Sequence, residues 1–484
     1  MKFKNTIILG LGLLFSVNLA RGQESQTTFT LEECIAYAWE NNLNVRNNQL
    51  NQVSNEIALK QSKMALLPSL SAGGSVGKSF GRSIDPVSNS FVSQDFTTGG
   101  FSANSSVTLF GGGTLRNTIK QNELNLEASA FDLEKAKNDI GLQVATNFLN
   151  VLLNKEQLEN AKYQKEITSA QLERTKKQVQ AGALPLTNQL DLESQFASNE
   201  VQVVNAENAL NLAILNLKQA MQMSADQQLN VAAPEIEVDD IQLAMEDPSK
   251  IYEIALSNQP EVKSAELGIE SGDVGVKISK GAFLPTLSLS ASISTNYSDQ
   301  AREFLRTEPV NVPSQEIGFV QGSNNPVFSN PSTRTVSVFS DDYKTFDQFN
   351  DNLGQSVRMN LNVPIFSRYS NSANLQRAEI NKQRAEIQAQ TVKNTLRQNI
   401  ETAYNSAIAA LKSFEASEKR VAALEESFRA IESRYNVGDA NFVDYQVANN
   451  NLFAARTDLV RAKYEYIFRA TILDFYLGNP ITLD

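Results

Sequence analysis

The sequence predicts a duplicated membrane α+β chain in which pairs of amphipathic strands alternate with very long helical hairpins. Three observations lead there. A turn-forming stretch, Ala181 to Asn188, recurs 256 positions later as Val437 to Asp444. A helix-ending junction, Leu67-Pro68-Ser69-Leu70-Ser71, recurs at an offset of 217 as Leu284-Pro285-Thr286-Leu287-Ser288. After each junction the hydrophobic period drops from helical spacing to alternation by two, the mark of a strand with one apolar face.

The register of the first match holds from Leu109-Phe110 against Ile365-Phe366, with Thr146 matching Thr402 and Phe148 matching Tyr404. In the second, Ala38 matches Ala255, Asn41 matches Asn258 and Lys60 matches Lys277. The chain is therefore read as two repeats, residues 23–230 and 251–484, joined by a linker at 231–250. The offsets differ by 39, so the second repeat carries that many extra residues after its Leu-Pro junction.

Residues 1–22 read as a signal peptide. Lys2 and Lys4 precede a short apolar run from Ile7 to Ala20, and Ala20-Arg21-Gly22 offers a small-x-small cleavage site. Removal of Lys2, Lys4 and Arg21 takes the formal charge from −11 to about −14, which argues against nucleic acid as a partner. Cys34 is the only cysteine, which excludes an intramolecular disulfide, and it lies too far from the cleavage site to be acylated. Histidine is absent, removing most triads, most zinc sites and the usual proton shuttle. No enzyme, cofactor or metal is expected.

In chain order, Thr30-Leu31-Glu32-Glu33 resembles a capping box opening a helix that runs to Leu66 and stops at Pro68. Leu70, Ala72, Gly74 and Val76 then alternate with Ser69, Ser71, Gly73 and Ser75, and Phe101, Ala103, Ser105, Val107 and Leu109 form a return strand. The second repeat has Leu287, Leu289, Ala291 and Ile293, returned by Val357, Met359, Leu361 and Val363. The segments between, Val76 to Gly100 and Asn296 to Leu353, read as surface loops, the second made acidic by Asp341, Asp342, Asp347 and Asp351. Such strands suit lipid on one face and water on the other; by themselves they suit a soluble sandwich equally. Four strands cannot close a barrel, so a membrane reading requires several chains.

Helices follow from Gly113 to about Val179 and from Arg368 to about Arg434. At 1.5 Å per residue each spans about 100 Å, more than a compact domain uses. Val421, Leu424, Phe428 and Ile431 form a narrow seam on one side of the second turn, and Leu452, Leu459, Ala462 and Tyr466 continue it on the other. Gly438 reverses the chain and Asn441 caps the returning helix. The return helices are expected over about Leu186 to Met223 and Phe442 to Tyr476.

Two chemical motifs dissolve on inspection. Ala72 to Ser79 satisfies a loose phosphate-loop pattern but follows a helix, is not followed by one, and is lost in the second repeat. The carboxylates of the long helices, such as Glu415 and Glu418, are interleaved with Lys419 and Arg420 as on solvated faces.

With these elements placed, the chain resembles the TolC-type outer-membrane efflux family over nearly its whole mature length. The most specific piece is Tyr435-Asn-Val-Gly438 followed by Phe442-Val443-Asp444; the first turn departs, with Ala181 for the usual Val. The resemblance implies a homotrimer in the outer membrane whose twelve strands form one β-barrel in lipid, continued through the periplasm by an α-helical barrel of coiled hairpins. It implies an exit duct for efflux or type I secretion, working with a periplasmic adaptor and an inner-membrane pump. The adaptor would dock on the hairpin tips, Ala181, Gly182, Ala183 and Leu184 with Val437, Gly438, Asp439 and Ala440. Asp444, Tyr435 and Asn188 stand at positions of a periplasmic gate or ion ring, while Asn188, Ala440 and Val447 replace charged residues of better-known members, so an ionic lock would be weaker or built differently. A passive porin-like channel and a periplasmic coiled-coil scaffold are the alternatives. Long helices argue against the first and amphipathic strands against the second.

Overall fold

A computed structural model describes residues 28–92, 95–224, 226–232 and 247–482. The expected signal peptide and most of the expected linker lie outside the described residues. The first repeat contains β1 (Thr28–Phe29), α1 (Leu31–Asn41), α2 (Leu43–Met64), β2 (Ser69–Ser79), β3 (Ser83–Ile84), β4 (Phe91–Val92), β5 (Phe96–Gly111), α3 (Thr114–Gln180) and α4 (Leu186–Ala220). After β6 (Asn230–Val231) the second contains α5 (Pro248–Asn258), α6 (Pro260–Gly281), β7 (Thr286–Ser298), β8 (Glu303–Val312), β9 (Glu316–Phe319), β10 (Pro326–Phe328) and β11 (Ser332–Ser340). It closes with α7 (Thr345–Asp351), β12 (Gly354–Asn362), α8 (Ser370–Asn436) and α9 (Phe442–Leu477). The chain forms two compact units, each drawing on both repeats. One takes the chain up to Gln52, Ala128–Ala265 and the part from Gln388 on; the other takes Val53–Glu127 and Glu266–Ile387.

The first unit is helical, and its core is built twice. Cys34, Ala38 and Val45 are fully buried, and their counterparts at the 217 offset, Ile251, Ala255 and Val262, fill a second cluster. Val144 and Leu217 of the first cluster likewise correspond to Ile400 and Leu473 of the second at the 256 offset. Burial pushes the Cys34 thiol up to about 12, so this cysteine is a packing residue and not a nucleophile.

The opening helix is not continuous as the sequence suggested. It breaks at Asn42 in the first repeat and before Pro260 in the second, leaving helices of 11 and 22 residues in each. Local chemistry explains both breaks. Asn42 accepts the Asn44 N–H on its side chain at 2.8 Å and so competes with helical bonding. Pro260 has no N–H to give and serves instead as the first residue of α6. Each break also has a use. The buried Asn42 amide donates to the Ala220 carbonyl at the end of α4, and the buried Gln259 amide points at the Phe475 carbonyl in the last turn of α9. Both carbonyls stand in a last helical turn, where helical bonding runs out; that of Phe475 also accepts the Gly478 N–H at 3.0 Å.

The second unit holds one antiparallel sheet in the order β12-β7-β5-β2. Its ladders place Leu70, Ala72, Gly74 and Val76 opposite Ser105, Ala103, Phe101 and Gly99. They place Leu289, Ala291 and Ile293 between Val107, Ser105 and Ala103 on one side and Met359, Val357 and Gln355 on the other. One apolar face thus runs across all four strands, backed by a face of Ser, Thr and Asn. Two residues of the expected pattern fall outside it. The pairing of β5 shifts between Thr108 and Phe110, so Phe110, not Leu109, faces Leu287, and Val363 lies one residue past β12.

The segments read as loops are more ordered than their composition suggested. β3 pairs with β4, and β8 with β11 in a long hairpin that carries the shorter pair β9 and β10. Its Val, Thr and Phe are strand formers among the turn residues, and Phe304 meets Phe339 edge-on at 5.9 Å. The two loops are tied through the fully buried Asp85, which accepts from the N–H groups of Val87 and Ser88 and from the Ser298 hydroxyl. Gln348 of α7 accepts the Ser298 N–H at 3.0 Å, and Phe349 packs on Phe101 and Tyr297.

Candidate functional site

Both hairpin tips are made by the same backbone device. At the first, Ala183 N–H bonds to Gln178 O at 2.8 Å and Gly182 N–H to Val179 O at 2.9 Å. At the second, Asp439 N–H bonds to Arg434 O at 2.8 Å and Gly438 N–H to Tyr435 O at 3.1 Å. This crossed pair of bonds ends a helix with one left-handed residue, and Gly182 and Gly438 take φ of 72° and 83°. The tips then diverge. α4 starts after Pro185 with no side-chain cap, whereas Asn441 caps α9 by accepting the Asp444 N–H at 2.8 Å.

Of the expected docking residues, Ala181, Gly182, Ala183, Val437, Gly438 and Asp439 are exposed, and Leu184 and Ala440 are half-buried. Asp439 is held by its own hairpin. Arg434 Nε donates to its carboxylate at 2.8 Å and a second guanidinium nitrogen to its carbonyl at 3.1 Å. Asp439 first, and Asp444 more weakly, hold the Arg434 guanidinium above its usual range. Arg434 had drawn no role from the sequence; its spacing of five from Asp439 across a glycine turn was the available signal.

The three expected gate residues occupy different settings. Asp444 is exposed on the first turn of α9, in the electrostatic reach of Arg434. Asn188 is half-buried on the other hairpin, its N–H on the Pro185 carbonyl at 3.2 Å. Tyr435 is half-buried between hairpins, stacked on Tyr445 with ring centres 4.9 Å apart and tilted against Phe442 at 6.2 Å. Phe442 joins Leu172 and Leu192 in a small core that fastens the second hairpin to the first. Burial pushes the Tyr445 hydroxyl up to about 12 and raises that of Tyr435, whose hydroxyl is directed at Gln171 and Thr175 without closing a bond of ordinary geometry.

Away from the tip the buried side of α3 turns polar. Gln164, Thr168, Gln171 and Thr175 are all buried on α3, and Thr168 accepts from the buried Asn199 of α4 at 2.8 Å. Their spacing of four, three and four is a coiled-coil seam written in polar residues. With no apolar residue at these four positions, the seam leaves no hydrophobic period in the sequence.

Among the described residues no group of side chains is arranged to hold a metal, and no helix is long and apolar enough to cross a membrane. The phosphate-loop look-alike lies in β2, with Gly77, Lys78 and Ser79 paired to Thr98, Thr97 and Phe96.

Comparison with known proteins gives a concordant picture. The family model for outer membrane efflux proteins matches residues 35–221 and 251–479. Outer membrane protein TolC of Escherichia coli is 23% identical over 341 residues, 70% of this chain and 61% of that protein. The alkaline protease secretion protein AprF of Pseudomonas aeruginosa is 22% identical over 339 residues, again 70% of this chain and 61% of that protein. The match thus spans about three fifths of the length of these relatives. The crystal structure of the outer membrane protein VceC of Vibrio cholerae superposes with a TM-score of 0.70 at 15% identity, covering 93% of this chain and 96% of that one.

Proposed function

Since this chain belongs to the outer membrane efflux protein family, we propose that three copies assemble into an exit duct. The sheet would sit in the outer membrane, and the hairpins would receive cargo from a periplasmic adaptor and an inner-membrane pump. The observation that carries the reading is the sheet. It has one continuous apolar face, a small polar face, and free edges at β12 and β2 that run antiparallel to each other. Joining β12 of one copy to β2 of the next therefore keeps the strand alternation unbroken, and closure removes both edges. A passive pore has no use for two helices of 67 residues per chain. Relatives include one named for protease secretion, so the cargo class follows from the pump and not from these residues.

The tips would dock the adaptor through their exposed small residues. A bulky residue at Gly438 would test backbone strain together with docking, since its φ is positive. Ala183 is exposed and has no such constraint. Ala183→Trp is expected to leave assembled protein in the outer membrane while abolishing export and adaptor co-purification. Normal export by that variant would remove the tip from the docking surface.

A further inference from the structure

The small polar face of the sheet carries a single charge. β12 presents Ser356, Arg358, Asn360 and Asn362 on this face, paired with Ser292, Ser290, Ser288 and Thr286 of β7. β5 adds Ser102, Asn104, Ser106 and Thr108, and β2 adds Ser69, Ser71, Gly73 and Ser75. The other charged residue of the four strands, Lys78, lies on the apolar face at the end of β2, its ammonium over the Phe80 ring. Arg358 is exposed, and no carboxylate among the described residues pairs with it. The Ser290 hydroxyl lies 3.5 Å from its backbone carbonyl oxygen. The nearest acid before it in sequence, Asp351, ends α7 ahead of β12, and Arg358 lies four residues into that strand, roughly 14 Å from its start and beyond a Debye length of about 8 Å.

We propose that Arg358 forms a cationic ring inside the barrel that binds oxyanion groups, carboxylate or phosphate, of solutes passing through it. The inference rests on the trimeric-barrel reading above. In that assembly β12 meets the neighbouring copy's β2, whose polar face is serine and glycine, so closure brings no counter-charge. Three guanidiniums then face water between low-dielectric walls, where a field is focused and not cancelled. A guanidinium offers paired N–H donors that match two oxygens of one carboxylate or phosphate, and the surrounding serines and asparagines supply uncharged donors. A ring of this kind favours export of anionic compounds and slows cations of equal size.

The test is ion selectivity of the purified protein in planar bilayers, with tripolyphosphate as probe on the extracellular side. Wild type is expected to be blocked; Arg358→Ser should weaken block by roughly tenfold or more and shift the reversal potential toward cations, while Arg358→Lys keeps the sign of both. Orientation is read separately with a water-soluble, negatively charged methanethiosulfonate, for which the buried Cys34 gives a silent background. Arg358→Cys should react and change conductance, and Met359→Cys, on the opposite face, should not. Conducting trimers with unchanged block and reversal potential in Arg358→Ser would overturn the ring and leave the barrel standing. Reaction at Met359→Cys but not Arg358→Cys, or the absence of a trimer, would overturn the barrel reading itself and the ring with it.

Discussion

Asn441 and Asp444 separate capping from charge at the second tip. The cap is the bond from Asp444 N–H to the Asn441 side chain, and it does not involve the Asp444 carboxylate. Asn441→Ala should cost about 0.5 to 2 kcal/mol of helix stability, read by thermal unfolding of the assembled protein. Asp444→Asn should cost almost nothing in stability. If three Asp444 carboxylates ring the periplasmic opening, that variant loses cation preference and block by multivalent cations applied from the periplasmic side. Arg434 offsets part of this charge within each chain, so Arg434→Gln should move selectivity further toward cations. No change in either variant would leave Asp444 with no role in selectivity. Asp85 makes a pH prediction. Burial pushes its carboxyl up, but hydrogen bonds from Ser298, Ser88 and Val87 outweigh this and hold it below the usual range. A lowered folded pKa contributes stability above the ordinary carboxylate pKa and loses it as pH falls through the folded value. The β3–β4 loop should therefore resist protease at neutral pH and become cleavable in strong acid, and Asp85→Asn should make it cleavable at neutral pH.

At the scale of elements, the buried side of α3 is apolar at Leu172, which packs with Leu192 and Phe442, and polar at Gln164, Thr168, Gln171 and Thr175. Polar residues at core positions specify register at a cost in stability. The Thr175 hydroxyl is buried without an ordinary hydrogen bond, so Thr175→Val, which keeps the shape, should raise stability by about 1 kcal/mol. A lower melting temperature would show that the hydroxyl is satisfied in solution. Helix ends were legible within a few residues, because Gly182, Gly438 and the Pro at 68 and 285 act locally. The breaks at Asn42 and Pro260 were missed for a different reason. The local signals, Asn42 and Pro260, were present in the sequence, but apolar spacing runs through them; what the breaks serve, contacts with helix ends 178 and 216 residues away, lies outside any local window. The bulge at Thr108–Phe110 was likewise invisible, since alternation alone cannot say where a strand gains a residue.

For the whole molecule, the helices come in pairs of matched length, with 67 residues in both long members and 35 and 36 in the return helices. The ordered hairpin of β8 and β11 was not legible, because Ser, Asn and Pro masked a strand pattern that only its cross-strand partners complete. The roles of the tip residues were the least legible, since they belong to an assembly and not to one chain. The central claim is that this chain is one third of a closed barrel, supplying four strands and leaving two edges for its neighbours. Mass measurement of the mature protein in mild detergent tests it most directly. The account predicts one stable species containing three chains that falls apart only when the barrel is heat-denatured, whereas a stable monomer or dimer with the same strand content would contradict it.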